Sequence, residues 1–136
     1  GILILGDLTR QAIFDGQEAS LHSLVQQWVR QHPQFDYLHY EGETDGYVVH
    51  TVKGVLHFFF NTGDFESCLI GVVNQGGDAD TYAALAGMLA GAFYGLDAIP
   101  SRWLKRLDPK IKKAVEYQVE SLLAIFPLVP SEVDKV

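Results

Sequence analysis

The sequence of 136 residues has little cysteine and a shortage of positive charge, and both shortages exclude classes of protein. Its single cysteine, Cys68, excludes an internal disulfide and a cysteine-based zinc site. Cys68 stands among apolar residues, which predicts a buried and unreactive thiol. The chain has only ten Lys and Arg residues and a net charge of −7, so a nucleic-acid partner is not expected.

Long apolar runs are also missing. No segment reaches the roughly 18–20 apolar residues of a transmembrane helix, so no membrane contact is expected. The uncharged segment 81–96 is too short and too rich in glycine for that role, and it predicts a buried core helix. The first residues carry neither a basic leader nor a cleavage site, which does not fit a signal peptide. We therefore expect a cytoplasmic protein.

What the sequence does have is apolar residues at helical spacing, which predict an all-α fold. The length and the 48% hydrophobic content fit a single helical domain over residues 1–136. Residues 48–59 contain enough Val and Phe for a strand, but their spacing favours a helix. The polar and aromatic segment 33–45 predicts a functional loop.

Residue types that cap helices mark several helix ends. Ser20 is the expected N-cap of a helix that ends near His32, because Pro33 disfavours helical geometry just before it. Asp64 and Asp108 are the expected N-caps of later helices. The last helix is expected to bury its apolar residues, which are Ile111, Ala114, Val115, Val119, Leu122, Leu123 and Phe126.

The residues most suggestive of chemistry are 76–81, which read Gly-Gly-Asp-Ala-Asp-Thr. Asp78 and Asp80 repel each other unless a cation lies between them, and with Thr81 they form a set of oxygen ligands that Mg²⁺ or Mn²⁺ accepts. An alternative makes Asp80 a helix N-cap and Asp78 a solvated loop residue. A second alternative is a phosphatase in which residues 68–73 form a buried strand and Asp78 accepts a phosphoryl group.

Further residues near this stretch have both structural and functional interpretations. Small residues recur every four positions after it and predict a close helix contact: Ala83, Gly87, Gly91 and Gly95. His50 and His57 lie seven residues apart without a zinc-binding motif, so we interpret them as structural or surface residues. Tyr47 follows Gly46 at a helix start and could serve as an aromatic platform for a base or a sugar.

Four motifs occur in a familiar order, at residues 46–51, 73–81, 86–95 and 99–103. In this combination the chain resembles the C-terminal half of the ADP-ribosylglycohydrolase family, and it is most similar to the branch that removes ADP-ribose from arginine of dinitrogenase reductase. The resemblance implies an all-α fold with two divalent cations, Mn²⁺ or Mg²⁺, in a cleft. It implies hydrolysis of the N-glycosidic bond between ADP-ribose and an arginine side chain.

The resemblance also assigns site residues. It implies that Asp78, Asp80 and Thr81 bind the metals and that Tyr47 lies near the bound ADP-ribose. It implies that Gly76 and Gly77 let the backbone approach the ligand closely. It assigns no catalytic residue in this chain.

One part of the family pattern is missing. The family carries a Thr/Ser-Asp-Asp cluster and an acidic catalytic candidate in an N-terminal half, and residues 1–75 contain no Asp-Asp pair. The expected partners are therefore ADP-ribose or an ADP-ribosylated protein, together with a complementing N-terminal half or a second copy of the chain. The alternative function is a non-catalytic module that binds ADP-ribose or another protein.

Overall fold

The computed structural model describes residues 2–125, and the regular secondary structure of this part of the chain is all helical, without a strand, as the sequence predicted. The α-helices are α1 (Ile2–Phe14), α2 (Glu18–Gln31), α3 (Val48–Asn61), α4 (Phe65–Val73), α5 (Ala79–Tyr94), α6 (Ser101–Leu104) and α7 (Pro109–Ile125). Short 3-10 helices cover Pro33–Phe35, Tyr37–His39 and Leu96–Ala98. The strand that the phosphatase alternative requires is absent, because residues 68–73 lie in α4.

The chain divides into two compact units, of which the first ends at Pro100 and the second begins at Ser101. In the first unit α5 packs against α1, α3 and α4. The fully buried side chains at its core include Leu5, Leu8, Leu21, Val25, Val52, Val55, Leu56, Cys68, Val72, Tyr82 and Leu89. Within the first unit, α5 is therefore a central helix on which α1, α3 and α4 pack.

Two residues of the predicted small-residue series, Gly87 and Gly91, face α4, but without the close approach that the series predicted. A Cβ atom at Gly87 would lie 3.8 Å from Leu69, and one at Gly91 would lie 3.9 Å from Phe65. Gly95 does not belong to this helix face. It is the C-cap of α5 with φ +83°, a left-handed conformation that ends the helix.

The capping predictions were correct at two helix starts and wrong at one. Asp64 accepts hydrogen bonds from Ser67 N (2.8 Å) and Ser67 Oγ (2.7 Å). Asp108 Oδ1 accepts one from Lys110 N at 2.7 Å. The prediction of Ser20 as an N-cap was wrong, because α2 begins at Glu18 after the N-cap residue Gln17, and Ser20 lies within its first turn.

The prediction that the last helix buries its apolar face was wrong for the described residues. In α7 the side chains of Ile111, Val115, Val119, Leu122 and Leu123 are all exposed, and Ala114 is exposed as well. Apolar spacing shows which face of a helix is apolar, but it does not show that another element covers that face. Phe126, the remaining member of the predicted set, lies outside the described residues.

The helices of residues 2–125 include none with the length and apolar character that crossing a bilayer requires.

The Cys68 thiol is fully buried, as predicted, and burial raises its pKa to about 11 from the usual 9.0. A thiol with this pKa has about a hundredfold less thiolate at pH 8, and the thiolate is the reactive form. We expect a disulfide reagent such as DTNB to leave native Cys68 unmodified at pH 8 and to react fully once guanidinium unfolds the chain. Equal rates in the two states would contradict the buried position.

Candidate functional site

The site begins at the turn between α4 and α5. Gly76 and Gly77 have φ angles of +76° and +59°, in the left-handed region where residues with a Cβ are strained. A Cβ atom at Gly77 would overlap Oγ1 and the backbone oxygen of Thr44, whereas one at Gly76 would meet no atom within 4 Å. The turn therefore needs both glycines for its backbone, and it needs Gly77 also for contact with a distant loop.

The predicted metal ligands stand together at the N-terminus of α5. Asp78 is the N-cap residue, and Asp80 and Thr81 lie in the first turn, both exposed. Thr81 Oγ1 donates a hydrogen bond to Asp78 Oδ1 at 2.9 Å. The alternative that placed the N-cap at Asp80 is wrong, because the N-cap is Asp78, two residues earlier, and α5 starts at Ala79. Both carboxylates sit where the helix dipole favours negative charge.

The loop that contains Thr44 and Gly46 precedes this turn by more than thirty residues in the sequence, and it lies against the turn in the structure. The backbone N–H of Asp78 donates to the backbone oxygen of Thr44 at 2.8 Å. A Cβ atom at Gly46 would lie 3.5 Å from Asp78 Oδ2, so the loop passes directly beside this carboxylate. The structure therefore brings together two of the four motifs, residues 46–51 and 73–81.

Tyr82, in α5, hydrogen-bonds to the same loop, a role that sequence analysis missed. Its ring is 1% exposed, and its hydroxyl lies 3.0 Å from Glu43 O and 3.1 Å from Asp45 O, so that it donates to this pair of carbonyls. Tyr40 Oη also donates to Glu43 O, at 3.0 Å. Burial raises the pKa of Tyr82 and raises that of Tyr40 to about 12, so both hydroxyls stay protonated donors at neutral pH.

Gly54 makes room for these two tyrosines. A Cβ atom there would lie 2.8 Å from the Tyr82 ring and 3.3 Å from the Tyr40 ring. Glycine in the interior of a helix is unfavourable by about 1 kcal/mol relative to alanine, so its presence in α3 signals a close approach. That signal could have directed attention to the α3–α5 contact from the sequence alone.

Tyr47, the predicted substrate-binding aromatic residue, is the N-cap residue of α3 and is 57% exposed. Its backbone N–H donates to Asp45 Oδ1 at 3.1 Å. The same carboxylate oxygen lies 2.8 Å from His50 Nδ1, and this hydrogen bond lowers the pKa of Asp45. The His50 ring packs edge-on against the Tyr47 ring, with centroids 5.1 Å apart at 87°.

His50 and His57 do not act as a pair. His57 Nδ1 lies 3.3 Å from Tyr37 O, whereas His50 bonds to Asp45. His57 is therefore held by the segment before α3, while His50 belongs to the Tyr47 surroundings.

The ligands on α5 fit a divalent cation in chemistry but not in number. Carboxylate and hydroxyl oxygens such as those of Asp78, Asp80 and Thr81 suit Mg²⁺ or Mn²⁺. Within residues 2–125, however, no three His, Cys, Asp or Glu side chains come close enough together to hold a metal ion. The predicted ligands of the described part of the chain are therefore too few for a complete metal site.

Comparison with known proteins places this geometry in a family. The sequence profile of the ADP-ribosylglycohydrolase family matches residues 5–130. The chain is 55% identical over 97 residues to the ADP-ribosyl-[dinitrogen reductase] glycohydrolase of Rhodospirillum rubrum, covering 71% of this chain and 33% of that protein.

Two further relatives match over shorter stretches. Identity to the ADP-ribosylarginine hydrolase Tri1 of Serratia proteamaculans is 39% over 67 residues, which is 49% of this chain and 18% of that protein. Identity to the human ADP-ribosylhydrolase ARH3 is 51% over 38 residues, 28% of this chain and 10% of that protein. The chain spans a third or less of the length of these curated relatives. It belongs to the ADP-ribosylglycohydrolase family.

Proposed function

We propose that this chain forms one side of a metal-dependent site that removes ADP-ribose from arginine side chains of a modified protein. The observation that carries the proposal is the contact between the loop before Tyr47 and the start of α5, where Asp78 N bonds to Thr44 O at 2.8 Å. Together with the position of Gly46 beside Asp78, this contact supports a surface on which Tyr47 and the carboxylates at the start of α5 are neighbours. The names of the relatives support the choice of ADP-ribose as the ligand.

The roles of the individual residues follow from their chemistry. Asp78, Asp80 and Thr81 would hold Mn²⁺ or Mg²⁺, and the bound metal would supply the Lewis acid that polarises the water or the ribose. The Tyr47 ring would stack against part of ADP-ribose. Gly76 and Gly77 carry no side chain, so the backbone beside Asp78 would be open to the ligand.

A complete hydrolytic site requires further acidic ligands. The α5 ligands fill only part of a metal shell, and residues 1–75 hold no Asp-Asp pair. We infer that the missing ligands come from a polypeptide segment equivalent to the N-terminal part of the longer relatives. That segment is the partner we propose for catalysis.

The shortage of acidic ligands favours a second candidate function. With too few acidic side chains for a metal within residues 2–125, the chain by itself would act as an ADP-ribose-binding module without turnover. Binding without hydrolysis separates this candidate from the first.

The test is calorimetric titration of the 136-residue chain with ADP-ribose, with and without Mn²⁺, alone and mixed with the N-terminal two thirds of the Rhodospirillum rubrum relative. We expect Mn²⁺ to strengthen ADP-ribose binding about tenfold, a typical coupling between two ligands. Asp78→Asn should abolish this strengthening, because its amide still accepts the Thr81 hydrogen bond but binds cations weakly. Release of ADP-ribose from a modified arginine peptide is expected only in the mixture.

Asp97→Asn is the matched control, since Asp97 is an exposed carboxylate at the opposite end of α5. It should leave the Mn²⁺ effect unchanged. Absence of Mn²⁺ binding both alone and in the mixture, with Asp78→Asn indistinguishable from the parent chain, would refute the proposal. ADP-ribose binding without turnover in the mixture would establish the second candidate.

A further inference from the structure

A short series of contacts connects the metal-binding helix to the exposed Tyr47 ring. Tyr82, in α5, holds the backbone oxygen of Asp45 with its hydroxyl at 3.1 Å. The Asp45 carboxylate accepts hydrogen bonds from Tyr47 N at 3.1 Å and from His50 Nδ1 at 2.8 Å. The His50 ring then meets the Tyr47 ring edge-on at 5.1 Å.

We propose that Asp45 and His50 are positioning residues that fix the orientation of the Tyr47 ring for ligand binding. The proposal rests on the proposed function, because that function makes the Tyr47 ring a surface for ADP-ribose. Neither residue needs to touch the ligand. Each acts through Tyr47.

The physical reason is the freedom that an exposed aromatic ring otherwise has. Tyr47 is 57% exposed, so only its neighbours restrict its side-chain rotation. An edge-to-face contact favours one ring orientation over the others. A ring that is held before the ligand arrives loses less conformational entropy on binding, and this raises affinity.

The hydrogen bond to Asp45 gives His50 the rigidity that this role requires. The terminal torsion of histidine is broad, so an unbonded imidazole samples many ring orientations. A carboxylate can only accept, so Nδ1 carries the hydrogen and the ring is held in one tautomer. The same carboxylate oxygen holds Tyr47 N, so one group sets both the backbone and the ring neighbour of Tyr47.

The first arm of the test needs no ligand. Long-range ¹H–¹⁵N NMR spectra of the chain at pH 8 should show His50 as the Nδ1–H tautomer, with nuclear Overhauser effects between the His50 and Tyr47 rings. Asp45→Ala should remove the tautomer preference, and Asp45→Asn should retain it, because the amide oxygen still accepts. An Nε2–H tautomer or absent ring-to-ring effects in the parent chain would overturn the proposal.

The second arm is a double-mutant cycle on ADP-ribose affinity in the presence of Mn²⁺. We expect His50→Ala to weaken binding about tenfold, within the usual range for coupled neighbouring residues. His50→Phe, which keeps a ring but loses the Asp45 bond, should fall between His50→Ala and the parent. In a Tyr47→Ala background, His50→Ala should have no additional effect.

The pair Asp36 and His39, earlier in the sequence, provides a matched control. His39 makes the same kind of bond to Asp36, with Nδ1 and Oδ2 2.6 Å apart, and His39→Ala should leave ADP-ribose affinity unchanged. An effect of His50→Ala that persists without the Tyr47 ring would overturn the proposal. If the parent chain binds no ADP-ribose in any mixture, the proposed function fails, and the NMR arm alone then decides whether Asp45 and His50 fix the ring.

Discussion

Replacing Gly77 with alanine is expected to destabilise the chain by about 3 kcal/mol, because two independent penalties coincide at this position. The residue has a φ of +59°, which strains any residue with a Cβ. The new methyl group would also overlap Thr44, including its backbone oxygen. A backbone atom cannot move aside like the end of a flexible side chain, so the loop itself would have to shift.

Movement of that loop should also be visible at the site. The backbone oxygen of Thr44 accepts the hydrogen bond from Asp78 N, so displacing Thr44 breaks the contact between the loop and α5. We therefore expect Gly77→Ala to lose Mn²⁺-dependent ADP-ribose binding as well as stability. Urea unfolding followed by circular dichroism measures the stability, and calorimetry measures the binding.

Gly76→Ala separates the two penalties. Its φ of +76° is similarly strained, but a Cβ atom there would have no neighbour within 4 Å. We expect a loss of about 1 kcal/mol from backbone strain alone. Equal urea midpoints for the two variants would show that the Thr44 contact contributes nothing.

The sequence was sufficient for most of the helices because their determinants are local. Asp64 and Asp108 cap the helices that follow them, as their side-chain chemistry predicted. The prediction that Ser20 is an N-cap was wrong because α2 begins before Ser20. Ser20 N and Leu21 N both bond to Gln17 O, and Glu18 places a carboxylate in the first turn, where the helix dipole favours it.

The sequence predicts which residue types form the candidate site, and that assignment stays a prediction, but it does not predict the geometry of the site. The carboxylates on α5 follow from the turn chemistry and from the family resemblance. The contact between Thr44 and Gly77 joins positions 33 residues apart, and no periodic pattern records such a pair. The same reason explains α7, whose apolar spacing was correct while its burial, which depends on other elements, was not.

The second large effect is expected at Tyr82. Tyr82→Ala removes a fully buried ring, and such truncations destabilise proteins by about 3–5 kcal/mol. The cavity would open beside Gly54, which has no side chain to fill it. For a domain whose whole stability is about 5–15 kcal/mol, this variant is expected to lie near the limit of folding.

Tyr82→Phe shows what the hydroxyl contributes, because the ring and its packing remain. Glu43 O keeps its hydrogen bond from Tyr40, so the carbonyl that loses its tyrosine donor is that of Asp45. We expect a loss of about 1–2 kcal/mol, the usual penalty for removing one buried hydrogen bond. Tyr94→Phe is the control, since its hydroxyl lies 3.5 Å from Thr62 O and should contribute much less.

Hydrogen exchange distinguishes a local effect of Tyr82→Phe from a global one. If the hydroxyl fastens the loop to α5, the amide of Asp78, which bonds to Thr44 O, should exchange faster in Tyr82→Phe than the global loss of stability explains. The exchange rates of amides in the middle of α5 should change only as much as the change in global stability predicts. Uniform changes across both sets would mean that Tyr82 stabilises the fold without holding the loop, and the connection from α5 through Asp45 to Tyr47 would then lack its first step.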